Sequence, residues 1–123
     1  MTCILVIDDD IQTRTWMRRV LEAAGYAVTE ASNGHMALQR LETAPSDLLI
    51  LDIFMPEKDG LELLRRLRSQ HSTARVIAIS GGGDLEDTSY LAVAARLGAH
   101  QILEKPFDSA TLLRSVTQQL TNR

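Results

Sequence analysis

The chain contains one cysteine, Cys3, so an intramolecular disulfide bond is impossible. Cys3 lies in an apolar stretch, which is typical of a small buried side chain in a reducing compartment. The sequence has no apolar run of about 18 residues that could span a bilayer. The acidic residues at positions 8–10 come too early for a secretory signal peptide. We therefore expect a cytoplasmic protein with no membrane partner.

Basic residues are fewer than acidic residues. The 13 Lys and Arg residues are outweighed by 16 Asp and Glu residues, which gives a net charge of -3, and no basic block is present. This balance gives no electrostatic reason to bind nucleic acid or an anionic membrane. The 123 residues, 45% of them apolar, suit one soluble globular domain. We expect a single domain over residues 1–123.

Short apolar runs alternate with stretches of helical periodicity. Such alternation predicts a parallel sheet with right-handed crossovers in a three-layer α/β domain. Asn33-Gly34 is interpreted as a turn before the second helix. The predicted strands are residues 3–7, 26–30, 48–51, 76–79 and 102–103, of which 26–30 alternates weakly, as a half-exposed edge strand would. The helical stretches include residues 16–24, 36–41, 59–67, 90–97 and 112–120.

Helix ends are indicated by local residue types. Gly25 and Gly98 occupy positions where a left-handed C-terminal cap would lie. Asp59, followed three residues later by Glu62, predicts an N-cap with a capping box. Asp108 is predicted to cap the last helix.

Four of the apolar runs are followed by polar residues of different chemical kinds. Asp8 and Asp9 follow residues 3–7, Asp52 follows residues 48–51, and Ser80 follows residues 76–79. Lys105 comes after residues 102–103 and Glu104. In a parallel sheet these residues meet at the carboxyl edge, where open α/β sheets bind ligands. Clustered carboxylates repel one another unless a cation joins them, which calls for a hard ion such as Mg²⁺, with Lys105 as a second positive charge. Such a site is suited to holding a phosphoryl group.

These residues resemble the receiver domain of bacterial two-component response regulators, in order and over essentially the whole chain. The resemblance implies a flavodoxin-like (βα)5 domain with a five-stranded parallel sheet of order 2-1-3-4-5, in a stand-alone regulator without an output domain. The matching motifs are Ile4-Leu5-Val6-Ile7-Asp8-Asp9, Leu51-Asp52, Met55-Pro56, Asp59-Gly60, Ala78-Ile79-Ser80-Gly81, Gly98-Ala99 and Lys105-Pro106-Phe107.

The resemblance also implies a metal site. Asp9 and Asp52 would supply carboxylate oxygens to Mg²⁺, or alternatively Mn²⁺. The backbone carbonyl of Phe54 would be a third ligand, and Asp8 would act through a bound water. This sparse set suits Mg²⁺, which keeps several waters when it binds to proteins.

The phosphoryl group would be carried by Asp52. The resemblance implies that this carboxylate takes the group from a phosphohistidine of a sensor kinase or a histidine phosphotransfer protein, forming an acyl phosphate. Lys105 would neutralise one phosphoryl oxygen and Ser80 would donate a hydrogen bond to another. The bond from Lys105 to Pro106 is expected to be cis.

The protein would then signal by protein contact or by onward phosphotransfer. Its chemistry would be limited to self-catalysed phosphotransfer and autodephosphorylation, so we do not expect an enzyme acting on other substrates. One alternative is a small Mg²⁺-dependent aspartyl phosphohydrolase, whose motif Asp8 and Asp10 fit and Gln12 does not. Another is a degenerate receiver that only binds partners. The presence of Asp9, Asp52, Ser80 and Lys105 argues against it.

Two further features bear on signalling. Three residues before the lysine, receivers usually carry an aromatic ring, and this chain has Ile102, which is stiff at χ1. We expect no aromatic switch here and a larger role for the glycine-rich residues 81–83. Arg14, Arg18 and Arg19 are interpreted as the solvated face of the first helix, with contact to a kinase as the alternative.

Overall fold

A five-stranded parallel sheet forms the centre of the molecule. The structure is a computed structural model that describes residues 1–53, 55, 59–70, 74–80, 95–96 and 98–121. The strand order is β2-β1-β3-β4-β5, which confirms the flavodoxin-like arrangement. The strands are β1 (Cys3–Ile7), β2 (Ala27–Ala31), β3 (Leu48–Asp52), β4 (Arg75–Ser80) and β5 (Gln101–Glu104).

Helices cover both faces of this sheet. They are α1 (Ile11–Ala23), α2 (Gly34–Thr43), α3 (Asp59–Ser69) and a C-terminal helix (Ser109–Thr121). Of the helix predicted over residues 90–97, only residues 95–96 lie within the described part, and both are helical. No helix among the described residues has the length and apolar character needed to cross a bilayer.

The core is divided by the sheet into two clusters of buried side chains. Successive strand residues point to opposite faces, so Ile4 and Val6 contribute to one cluster and Leu5 and Ile7 to the other. Because helices cover both faces, β1 and β3 are apolar at nearly every position. The first cluster includes Met17, Leu21, Leu112 and Val116, and the second includes Ala37, Leu63, Leu64 and Leu67.

Three predicted helix caps are confirmed. Gly25 and Gly98 have φ of 98° and 104°, a conformation that favours glycine. The N–H of Gly25 donates to the carbonyl of Glu22 at 3.0 Å and so closes α1. Asp108 accepts a hydrogen bond from the N–H of Thr111 at 2.8 Å, at the start of the C-terminal helix.

Other boundaries differ from the predictions. Asn33-Gly34 is not a separate turn, because Asn33 is the N-cap of α2 and accepts from the Met36 N–H at 2.8 Å. Asparagine is among the best N-cap residues, so the same pair suits both structures. Strand β2 begins one residue later than predicted, since the Tyr26 N–H still donates to the carbonyl of Leu21.

Helix α3 begins at Asp59, so this residue is the first helical residue and not the N-cap that the sequence predicted. The carboxylate of Glu62 accepts hydrogen bonds from Arg65 at 2.6 and 3.1 Å. Glu62 therefore pairs with Arg65, three residues along the helix, and the capping-box contact itself stays a prediction.

Gly60 allows the start of α3 to approach the end of β3. A Cβ atom at this position would lie 2.6 Å from the carbonyl oxygen of Asp52 and 2.6 Å from the Cα of Ile53. Both contacts are with backbone, which cannot rotate away. The absence of a side chain therefore sets the distance between α3 and the strand end that carries Asp52.

We predict that Gly60→Ala lowers the free energy of unfolding by about 1–3 kcal/mol, the usual effect of overpacking. Alanine is a better helix former than glycine by about 1 kcal/mol, so the sign of the change reports whether the backbone clash dominates. Urea unfolding measures it. Arg66→Ala, on the exposed face of the same helix, should change stability by no more than about 0.5 kcal/mol. A stabilised Gly60→Ala protein would contradict the close approach.

Candidate functional site

The register of the central strands brings two of the predicted carboxylates to the same level. Ile7 of β1 pairs with Leu51 of β3 in the parallel register. Asp8 and Asp52 are the next residues on these two adjacent chains, at the carboxyl edge of the sheet. The sequence prediction that they lie close together is confirmed, since their carboxylate oxygens are within 4.8 Å of one another.

The other two predicted side chains come from the neighbouring strands. Ser80 is the last residue of β4 and pairs with Glu104 of β5. Lys105 follows directly, and its N–H donates to the carbonyl of Ser80 at 3.0 Å. The bond from Lys105 to Pro106 is cis, as the resemblance implied.

Three carboxylates form a cluster at this edge. Asp8, Asp9 and Asp52 each offer an oxygen within 4.8 Å of the others. Asp8 is completely buried and Asp52 is 6% exposed, whereas Asp9 is exposed. Like charges at this separation repel, and oxygen ligands of this kind are those that hard divalent cations prefer. The donor set therefore fits a cation such as Mg²⁺.

Lys105 supplies a positive charge to the cluster. Its Nζ lies 3.4 Å from Oδ2 of Asp8 and 3.5 Å from Oδ2 of Asp52. Partial burial lowers the pKa of the Lys105 ammonium, but the charges of Asp52 and Asp8 outweigh burial and hold the pKa above its usual value. The ammonium is therefore charged at neutral pH and can neutralise an anion bound beside Asp52.

Asp8 shows the effect of crowding most directly. Burial raises the pKa of its carboxyl, and the charge of Asp52 raises it further. A hydrogen bond from the Asp10 N–H, 2.9 Å from Oδ1, and the proximity of Lys105 act in the opposite direction. The net result is a pKa above the ordinary value, because burial and the charge of Asp52 outweigh the hydrogen bond from Asp10 and the charge of Lys105.

Asp10 has a different role from its two neighbours. It is the N-cap of α1, and its carboxylate accepts from the Gln12 N–H at 3.2 Å and the Thr13 hydroxyl at 2.5 Å. The Thr13 hydrogen bond is the largest cause of a lowered pKa for Asp10. Asp10 is therefore a helix cap in this structure. The phosphohydrolase alternative needs Asp10 as its second carboxylate, and that carboxylate is engaged in capping.

Arg14 is a site residue that sequence reasoning missed. Its Nη1 donates to the backbone carbonyl of Asp8 at 2.7 Å, and its Nε pairs with Glu30 at 2.9 Å. The Arg14 side chain is 14% exposed, so its interpretation as part of a solvated face was wrong. Arg18 also pairs with Glu30, at 2.7 Å, and Arg19 is exposed as expected. Nothing in the local sequence relates Arg14 to Glu30, because the contact depends on how α1 packs on β2.

Some predicted features lie outside the described residues or are only partly visible. The carbonyl of Phe54 and the glycine-rich residues 81–83 are outside the described part of the chain. Ile102, at the usual aromatic position, is partly buried and packs against the core cluster that contains Leu63 and Leu64. The prediction that no aromatic switch operates here stays a prediction.

An apolar surface lies beside the acidic cluster, and we call it the Trp16 surface. It consists of Ile11, Trp16 and Phe107. Ile11 is 64% exposed and Trp16 is 37% exposed, and the rings of Trp16 and Phe107 have centroids 5.8 Å apart. Trp16 and Phe107 also line a groove of about 370 Å³ together with Lys105. Trp16 begins the helical stretch predicted over residues 16–24, next to the buried Met17, and helical spacing alone does not indicate its exposure.

Comparisons with known proteins agree with this geometry. Residues 4–117 match the family model described as the response regulator receiver domain. The transcriptional regulatory protein CpxR of Escherichia coli K12 is 34% identical over 116 residues, which cover 94% of this chain and 48% of CpxR. A 14.6 kDa protein of Leptolyngbya boryana is 41% identical over 117 residues, covering 94% of this chain and 87% of that protein. The chain thus spans about half the length of CpxR.

Solved structures show the same fold. The receiver domain of NtrX from Brucella abortus superposes with a TM-score of 0.88 at 30% identity, covering 98% of this chain and 99% of that one. A CheY-like receiver domain protein from Methanospirillum hungatei gives a TM-score of 0.90 at 25% identity, covering 99% and 95%. The chain therefore belongs to the response regulator receiver family.

Proposed function

We propose that Asp52 is the residue that accepts the phosphoryl group. The observation that carries this proposal is the position of its carboxylate, at the end of a central strand, 3.5 Å from the Lys105 ammonium and within 4.8 Å of the carboxylates of Asp8 and Asp9. Asp52 is 6% exposed, so most of its surface is shielded from water.

The transfer is a nucleophilic displacement at phosphorus. An oxygen of Asp52 forms a bond to the phosphorus of a phosphohistidine, the P–N bond breaks, and the imidazole leaves with the electron pair. Phosphoryl transfer has a loose transition state with charge on its peripheral oxygens, so positioning and neutralisation supply the catalysis. Lys105 pairs with one of these oxygens, and the hydroxyl of Ser80 donates to another.

The metal ligands in this proposal are the carboxylates of Asp9 and Asp52, the backbone carbonyl of Phe54 and, through a water, Asp8. Mg²⁺ at this position would supply positive charge to the phosphoryl oxygens and to the three crowded carboxylates. Mn²⁺ prefers the same oxygen ligands and is a suitable substitute. The separation of at most 4.8 Å between the three carboxylates supports the assignment.

The phosphoryl donor is a sensor histidine kinase or a histidine phosphotransfer protein. We place its docking on the Trp16 surface, because exposed apolar side chains there lie next to Lys105 and so border the acceptor. The net charge of -3 gives no reason to add nucleic acid or a membrane as a partner of this domain. In this proposal the only reactions are the gain and the loss of the chain's own phosphoryl group, and they take place in the cytoplasm. The phosphorylated protein signals by contact with another protein or passes the phosphoryl group onward.

We predict that incubation with acetyl phosphate and Mg²⁺ adds one phosphoryl group, seen by intact-protein mass spectrometry, and that hydroxylamine removes it. Asp52→Asn should abolish the addition, because the amide is not a nucleophile for this reaction. Asp10→Asn is the matched control, since asparagine also caps helices and Asp10 lies outside the carboxylate cluster. Modification that persists in Asp52→Asn would show that the acceptor is another residue.

We predict that Mg²⁺ raises the melting temperature of the metal-free protein. Binding to the folded state alone stabilises it by about 2.7 kcal/mol at a concentration one hundred times the dissociation constant. Asp9→Ala should lose most of this increase in a thermal melt, because it removes a direct ligand. Asp108→Asn changes an exposed carboxylate at a helix cap and should keep the full increase. An unchanged response in Asp9→Ala would place the metal elsewhere.

A further inference from the structure

Every polar group of Asp8 has a partner in the protein. Its N–H donates to the carbonyl of Ala31 at 3.1 Å, Oδ1 accepts from the Asp10 N–H at 2.9 Å, and Oδ2 lies 3.4 Å from Lys105. The remaining group, the backbone carbonyl, accepts from Nη1 of Arg14 at 2.7 Å. The N–H contact is with the end of β2, and the two carboxylate contacts are with residues that follow β1 and β5. The fourth contact comes from a long side chain of α1.

Arg14 is itself held at its other side. Its Nε donates to Oε1 of Glu30 at 2.9 Å, and Oε2 of the same glutamate accepts from Arg18 at 2.7 Å. The hydrogen bond from Arg18, followed by the bond and charge of Arg14, lowers the pKa of Glu30. Because the guanidinium is planar and its donors point in fixed directions, anchoring one edge on Glu30 fixes the edge that faces Asp8.

We infer that Arg14 is a positioning residue for the metal site, acting through the peptide between Asp8 and Asp9. The carbonyl oxygen of Asp8 and the N–H of Asp9 belong to one planar peptide unit. Holding the oxygen therefore limits rotation of that unit, which sets where Asp9 presents its carboxylate and how Asp8 faces Asp52. The inference rests on the proposed function, in which Asp9 and Asp52 are the ligands.

The charge of Arg14 is compatible with this role. The guanidinium contacts the carbonyl of Asp8 and not its carboxylate, and Glu30 balances its charge. Arg14 can therefore orient the loop without occupying the oxygens that a cation needs. Lys105, by contrast, lies against the carboxylates themselves.

Arg18 provides a matched control, because it lies on the same helix and pairs with Glu22 and Glu30. Neither of these contacts involves Asp8. Mg²⁺ titration by isothermal calorimetry should show a dissociation constant raised about 10-fold or more in Arg14→Met, the usual effect of losing a residue that orients a ligand. Arg18→Met should bind as the parent does. Arg14→Lys keeps one donor and should give an intermediate value.

A second readout needs no metal. In ¹⁵N-¹H spectra of the metal-free chain, the amide signals of Asp9 and Asp10 should move in Arg14→Met and stay in place in Arg18→Met. Equal Mg²⁺ affinity in Arg14→Met and Arg18→Met, with the parent binding normally, would overturn the inference and leave the metal site intact. A parent chain that does not bind Mg²⁺ would overturn the metal site itself. If Arg14→Met fails to fold, Arg14→Lys against Arg18→Lys decides by the same two measurements.

Discussion

The mutual repulsion of three carboxylates is the constraint on which the rest of the structure depends. Asp8, Asp9 and Asp52 have oxygens within 4.8 Å of one another, and Asp8 is completely buried. The fold keeps them together because β1 and β3 are fixed by apolar contacts on both faces of the sheet, and Lys105 offsets part of the repulsion. Because the packed strands hold these carboxylates together despite their repulsion, the site favours the binding of a cation. A phosphoryl acceptor that depends on a cation requires this property.

The residues that create this site could be predicted from the sequence because their position follows from local patterns. An apolar run that ends in a polar residue defines a strand end, and parallel strands bring their carboxyl ends to one edge. Asp8, Asp52, Ser80 and Lys105 were found in this way and lie where expected. The caps at Gly25, Gly98 and Asp108 were equally local.

The structural features that were not predicted depend either on packing between distant segments or on a residue pattern that fits two structures. The contact of Arg14 with the Asp8 carbonyl and with Glu30 requires the position of α1 on β2, which no periodicity encodes. Trp16 has the helical spacing of the buried residues of α1, yet it is 37% exposed. Its ring packs against that of Phe107, a residue that follows β5 in the chain. Asn33 favours a turn and an N-cap alike, and only the following helix decides between them.

The most direct test of this account is the stability of Asp52→Asn without metal. If repulsion among the carboxylates dominates, urea unfolding in EDTA will show Asp52→Asn to be more stable than the parent, by about 1 kcal/mol or more. Saturating Mg²⁺ should reduce or reverse that difference, because the cation stabilises the parent more than the variant. A variant that is less stable than the parent in EDTA would contradict the account, since Asp52 would then contribute to stability instead of opposing it.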